Sequence, residues 1–172
     1  LGERGVDAGF VTAAASVGSP LDLAAGGAAL GRGFNRLYTA MFLSTLKRKA
    51  LEKIARFPGV ASAADVRSSR NLYEFDNAYT APVHGFRDTD DYWRRASGKP
   101  LLAAIEVPHL VLNARNDPFV PAPSLPRPQD VSRFVTLEQP EHGGHIGFAQ
   151  GDLPGDLGWL PQRLFRFFEQ GR

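Results

Sequence analysis

The apolar residues of this chain follow two rhythms. Three short runs are almost continuously apolar or small: residues 9–16 (Gly-Phe-Val-Thr-Ala-Ala-Ala-Ser), 109–114 (His-Leu-Val-Leu-Asn-Ala) and 133–138 (Arg-Phe-Val-Thr-Leu-Glu). Runs of that length without polar alternation predict strands of a parallel sheet covered on both faces. Elsewhere the period is 3.6 residues. Phe34, Leu37, Tyr38, Met41, Phe42, Thr45, Leu46, Leu51 and Ile54 fall at that spacing and predict one long or broken amphipathic helix, stopped by Pro58-Gly59. Ser19-Pro20 predicts a helix start with Ser as its cap. A short helix is expected at 63–70, within an otherwise mixed stretch from 60 to 80. Another is expected at 88–97, where acids lead and Arg94 and Arg95 close, as the helix dipole prefers. Residues 101–105 predict a turn or short helix. Residues 159–170 predict a closing helix with Leu160, Leu164, Phe167 and Phe168 on one face. Five prolines between 116 and 129 make that segment an irregular loop.

The resulting order is strand, helical insertion of about ninety residues, strand, strand, helix. Strands alternating with helices define an α/β fold with a parallel sheet. Residues 1–19 carry the first core strand, 20–108 a mainly helical cap over the strand ends, and 109–172 the remainder of the core. Leu1-Gly2-Glu3-Arg4-Gly5 has neither an initiator Met nor a basic leader, and reads as the tail of a helix that begins earlier in a longer protein.

Composition narrows the chemistry. The 172 residues include no Cys, which removes disulfides, thiolate catalysis and Cys-ligated zinc together and fits a reducing, cytoplasmic setting. Twenty Lys+Arg face 18 Asp+Glu, a balance that asks for no nucleic acid. Lys47, Arg48, Lys49, Lys53 and Arg56 fall at helical spacing and read as a solvated face, with an anionic partner as the alternative. No apolar run reaches the length of a membrane span.

Two polar residues stand out against this background. Asp117, in Asn116-Asp117-Pro118-Phe119, follows the second predicted strand. His145, in Glu141-His142-Gly143-Gly144-His145-Ile146-Gly147-Phe148, follows the third. Open α/β sheets bind ligands outside the carboxyl ends of their strands, so the two share one rim. An acid and a histidine so placed are the second half of a Ser–His–Asp charge system, in which imidazole takes the serine proton and carboxylate fixes its tautomer. Asn-Asp-Pro is also a common turn formula, and a lone loop histidine needs no catalytic role. The nearest approach to a G-x-S-x-G elbow is Ala14-Ala15-Ser16-Val17-Gly18, but Ala stands in the first position and Ser19-Pro20 follows closely, so Ser16 reads first as the end of an inner strand. His142 and His145 have the spacing of a ligand pair, and His84 and His109 are also present. Two intervening glycines and the lack of a His-Glu-x-x-His helix speak against a metal. Gly26-Gly27 and Gly31-x-Gly33 do not form a phosphate-cradling loop. No cofactor is expected.

Three strings together resemble the YheT-like branch of the α/β-hydrolase superfamily, serine esterases acting on carboxylic esters. They are Asn77-x-x-Thr80-Ala81-x-x-His84-Gly85-Phe86-x-Asp88-x-x-Asp91-Tyr92, Ala114-Arg115-Asn116-Asp117-Pro118-Phe119, and the His142-Gly143-Gly144-His145 segment. Ser19-Pro20-Leu21-Asp22 and Gly33-Phe34-Asn35-Arg36-x-Tyr38 resemble that branch as well, so the likeness spans essentially the whole chain. The resemblance implies that Asp117 is the charge-relay acid and His145 the base. It also implies that the nucleophile stands in a G-x-S-L-G-G elbow upstream of residue 1, in a missing N-terminal half, which leaves Ser16 outside the role. The implied substrate is a small-molecule ester with an apolar acyl chain. Phe34, Tyr38, Phe42, Tyr92 and Trp93 are candidates to line the pocket, or ordinary core. A non-catalytic fragment or binding module of the same fold, and a thioesterase or amidase, remain as alternatives.

Overall fold

A computed structural model describes residues 1–152 and 155–170 of the chain. It divides into two compact units, one formed by Leu1–Asp22 with Gly98–Arg172, the other by Leu23–Ser97.

The first unit is built on three parallel strands in the order β1 (Ala14–Val17), β2 (His109–Leu112), β3 (Val135–Glu138). This is the parallel α/β sheet expected from the continuous apolar runs. All four residues of β2 are buried, as a central strand covered on both faces requires. Val111 faces one core layer with Ala8, Leu102, Ile105, Val107 and Val135. Leu110 and Leu112 face the other with Ala114, Phe148 and Phe167, and α7 (Trp159–Gln170) supplies Trp159, Leu160 and Leu164 to the same layer. Phe168, expected on that face, is substantially exposed. Arg163 of α7 pairs with Glu138 at the end of β3, which pins the helix across the sheet.

β1 is shorter than expected. Residues 5–8 form a 3-10 turn, and extended pairing with β2 begins only at Ala14. Small residues alone do not hold a strand; the ladder to β2 does, from Ala14 N–H donating to the Pro108 carbonyl to Gly18 N–H donating to that of Leu112. A 3-10 turn over Lys99–Ala104 occupies the expected turn, and Leu102 from it is buried under the sheet. The proline-rich segment is irregular apart from two 3-10 turns.

The second unit is helical. α1 (Leu23–Leu30) does not begin at Ser19-Pro20; its first N–H, on Leu23, is capped by Ser97 Oγ at 3.0 Å, from the far end of the unit. α2 (Asn35–Arg56) is the long helix the 3.6 period predicts. α3 (Ala63–Ser68) starts at Ser62, whose hydroxyl accepts from Asp65 N–H. α4 (Leu72–Phe75) runs through a π turn at Asp76–Thr80 into α5 (Ala81–Val83). α6 (Thr89–Ala96) carries the expected acidic start and basic end, with Asp88 Oδ1 accepting from Asp91 N–H at 2.8 Å.

The face that α2 buries is not the one its largest apolar residues mark. Leu43 and Ala50 are buried and Leu51 and Ile54 partly so, packing with Val66 and Phe75, while Thr39 is buried with its hydroxyl on the Leu30 carbonyl. Phe34, Leu37 and Met41 are 74%, 56% and 61% exposed. Tyr38 and Phe42 also lie at the surface. None of these three aromatics is ordinary core. Trp93 is half-buried and donates its indole N–H to Asp76 Oδ2 at 2.8 Å. Asp76 also accepts from Thr80 Oγ1, yet burial raises its carboxyl above the usual range.

Candidate active site

β2 and β3 end side by side, and the loops that follow them carry Asp117 and His145. Asp117 sits in a turn closed by its own N–H on the Ala114 carbonyl at 3.3 Å. Its Oδ1 accepts from Phe119 N–H at 2.8 Å and from Val120 N–H at 3.3 Å, the side-chain-to-backbone bonding for which Asp is favoured in turns. Its Oδ2 lies 2.8 Å from His145 Nδ1, and the Asp117 side chain is fully buried while that of His145 is 39% exposed. The bland turn and the charge pair are thus the same structure, with one carboxylate oxygen serving each. An ionised carboxylate only accepts. The contact therefore places the proton on Nδ1 and leaves Nε2 of the neutral ring with a lone pair, ready to take a proton from another group. The Phe119 ring packs edge-on against the imidazole, centroids 5.1 Å apart.

The histidine loop is shaped by close approach. A Cβ on Gly143 would stand 2.5 Å from the Phe148 ring and 2.8 Å from Ala114 Cβ. Phe148 N–H donates to the Gly143 carbonyl at 2.8 Å. Phe148 is buried beside Trp159 with a φ of 44°, a region a bulky side chain enters only when packing compels it. From the other side, Gly18 at the end of β1 has a φ of 57°. A Cβ there would fall 2.6 Å from the His145 carbonyl oxygen and 3.4 Å from Cε1 of its ring. The end of β1 is held by the buried Asn113, whose Nδ2 donates to the Ser19 carbonyl at 3.1 Å.

Ser16 is placed elsewhere. Its hydroxyl lies 2.9 Å from Nε2 of His109, at the start of β2, whereas Asp117 and His145 lie past strand ends. His109 is buried, and burial, with a smaller push from the Leu1 ammonium, holds its imidazole below the usual range. His142 is exposed, and His84 is exposed at the end of α5. Among the described residues no group of three or more His, Asp and Glu is arranged to hold a metal ion, and no helix is long and apolar enough to cross a membrane.

Gly18, Asn116 and Phe119 lie against His145 or the loop that carries it, Asn113 holds the end of β1, and none of them carries a motif of its own chemistry. Only the loop strings containing Asn116 and Phe119 hint at them in the sequence.

A parallel sheet with an acid and a histidine converging past adjacent strand ends is the architecture of the α/β-hydrolase superfamily, and the chain belongs to that superfamily. It is 37% identical over 156 residues to the protein named "Putative esterase YheT" of Escherichia coli, a match that covers 90% of this chain and 46% of that protein. It is 32% identical to the mouse phospholipase ABHD3 over 82% of this chain and 34% of the relative. It is 30% identical to the monoacylglycerol lipase of Saccharomyces cerevisiae over 60% of this chain and 23% of the relative. The chain therefore spans half or less of the length of the curated relatives it matches. No family profile matches it, and no solved structure does.

Proposed function

We propose that this chain supplies the acid and the base of a serine esterase: Asp117 orients His145, and His145 moves the proton. The observation that carries the reading is the 2.8 Å contact between the Asp117 carboxylate and His145 Nδ1, made by residues 28 positions apart. In that arrangement Nε2 accepts the proton of a serine hydroxyl as the oxygen attacks the ester carbonyl. It then returns the proton to the leaving alkoxide, and the same sequence with water releases the acid. The imidazolium formed at each step is stabilised by the buried carboxylate beside it.

Ser16 is not assigned as that serine: the imidazole it meets, His109, is buried and its Nδ1 has no hydrogen-bond partner among the described residues, so no carboxylate there orients it. The serine is contributed by a segment that precedes residue 1, along with the oxyanion-hole N–H that follows a nucleophile. Relatives of this chain are named esterase, phospholipase and monoacylglycerol lipase. A carboxylic ester with an apolar acyl chain is the substrate class those names favour.

The encoding DNA tests this directly. A G-x-S-x-G string between an apolar run and a helix, in frame upstream of Leu1, is expected. The 172-residue chain by itself is then expected to hydrolyse p-nitrophenyl esters no faster than its His145→Ala variant. Turnover by this chain that Ser16→Ala abolishes would contradict the assignment.

A further inference from the structure

The loops after β2 and β3 are laced together at successive positions. Arg115 N–H donates to the Pro140 carbonyl at 2.8 Å, Asn116 Oδ1 accepts from Gly144 N–H at 3.0 Å, and Asp117 Oδ2 meets His145 Nδ1 at 2.8 Å. The Arg115 and Glu141 side chains also approach, to 3.3 Å, but that pair is well exposed and contributes little. The Asn116 and Asp117 contacts both span the same separation of 28 residues. Two consecutive side chains on one loop therefore grip two consecutive residues on the other.

The Asn116 contact falls on the least constrained point of the histidine loop. Gly144 has a φ of 62°, and a Cβ built there would meet nothing within 4 Å. Packing does not hold that residue, and glycine has the widest backbone freedom of any residue. It is also the link immediately before His145, so a rotation there swings the imidazole off the carboxylate. Gly143, one residue earlier, is wedged between Phe148 and Ala114 and does not move in the same way.

We propose that Asn116 is a positioning residue for His145. By accepting the Gly144 N–H it fixes the Gly143–Gly144 peptide, the plane from which the chain turns into the histidine, and so keeps Nδ1 within reach of Asp117. The inference rests on the charge-pair reading of Asp117 and His145. It adds that a neighbour aligns the pair through the backbone beside His145. The first residue of the Asn-Asp pair then has a role as definite as the second.

The test is carried out on the 172-residue chain with labelled histidine, by NMR. Two quantities are read: the fraction of neutral His145 in the Nδ1–H tautomer, and the exchange rate of the Gly144 amide. In the unsubstituted chain Nδ1–H is expected to predominate. Asn116→Ala is expected to move the tautomer toward Nε2–H and to raise Gly144 exchange about fivefold, the worth of one exposed hydrogen bond. Asn116→Asp, which keeps the accepting oxygen, is expected to restore both. Asp117→Asn is expected to shift the tautomer while leaving Gly144 exchange near its original value. If Asn116→Ala changes neither quantity while Asp117→Asn shifts the tautomer, the positioning role is wrong and the charge pair stands. If Asp117→Asn also leaves the tautomer unchanged, both readings fall. Asn116 is exposed, so its substitution leaves the core untouched.

Discussion

Asp117 shows how one side chain can close a turn and hold an imidazole at once. One oxygen closes the Asp-Pro-Phe turn through two backbone N–H groups, and the other holds an imidazole. The sequence makes both residues of the pair visible, because each follows an apolar run and glycines precede the histidine. Gly18 is invisible there, since its neighbour is 127 residues away in the chain and the need is for space. Gly18→Ala is expected to destabilise the protein by about 1–3 kcal/mol, from strain at positive φ and overlap with the His145 carbonyl. A urea titration measures this, and a change under about 0.5 kcal/mol would mean that the loop yields without cost. His109 gives a second prediction at this scale. Burial lowers its folded-state affinity for a proton, so below the ordinary histidine value of 6.5 the unfolded chain binds more protons than the folded one. Stability is therefore expected to be highest above that pH and to fall as pH drops from about 7 to 5. His109→Gln is expected to flatten this slope, and an equal slope in both proteins would contradict it.

Among the elements, α2 is the one whose period is legible and whose phase is not. The chain places large apolar residues on two sides of this helix, and the side with more of them faces outward at its N-terminal end. The buried side uses Thr39 and Ala50, residues that a search for large apolar positions passes over. Thr39 belongs inside because its hydroxyl is satisfied by the Leu30 carbonyl at 2.6 Å. Leu43→Ala is accordingly expected to cost about 2–5 kcal/mol by opening a cavity beside Val66 and Phe75. Met41→Ser, two residues away, is expected to change the unfolding midpoint hardly at all, within about 0.5 kcal/mol. The reverse ranking in a urea titration would place the buried face where the large residues are. α4 is too short to show an apolar period, although its start is written as Asn71-x-x-Glu74. Asn71 Oδ1 accepts from Glu74 N–H at 2.8 Å, and Glu74 in turn accepts from Arg70 N–H at 2.7 Å. The start of α1 was unreadable for a different reason: its cap, Ser97, lies 74 residues further on.

On the scale of the whole molecule, the parallel strand order follows from three apolar runs and the connections between them. The cores on the two faces of β2 follow from its lack of any polar alternation. The chain brings an acid and a histidine to the ends of β2 and β3 and uses Ser16 to bond a buried imidazole. The esterase reading thus depends on a serine from outside these residues meeting Nε2 of His145. The decisive measurement is ester hydrolysis by the chain joined to the serine-bearing segment proposed above, with and without Asp117→Asn. Loss of the carboxylate leaves the imidazole in the wrong tautomer, so kcat is expected to fall by about 10⁴, the size of that effect in the serine-protease triad. A fall of less than tenfold would contradict the role given to Asp117 and, with it, the charge pair on which the function rests.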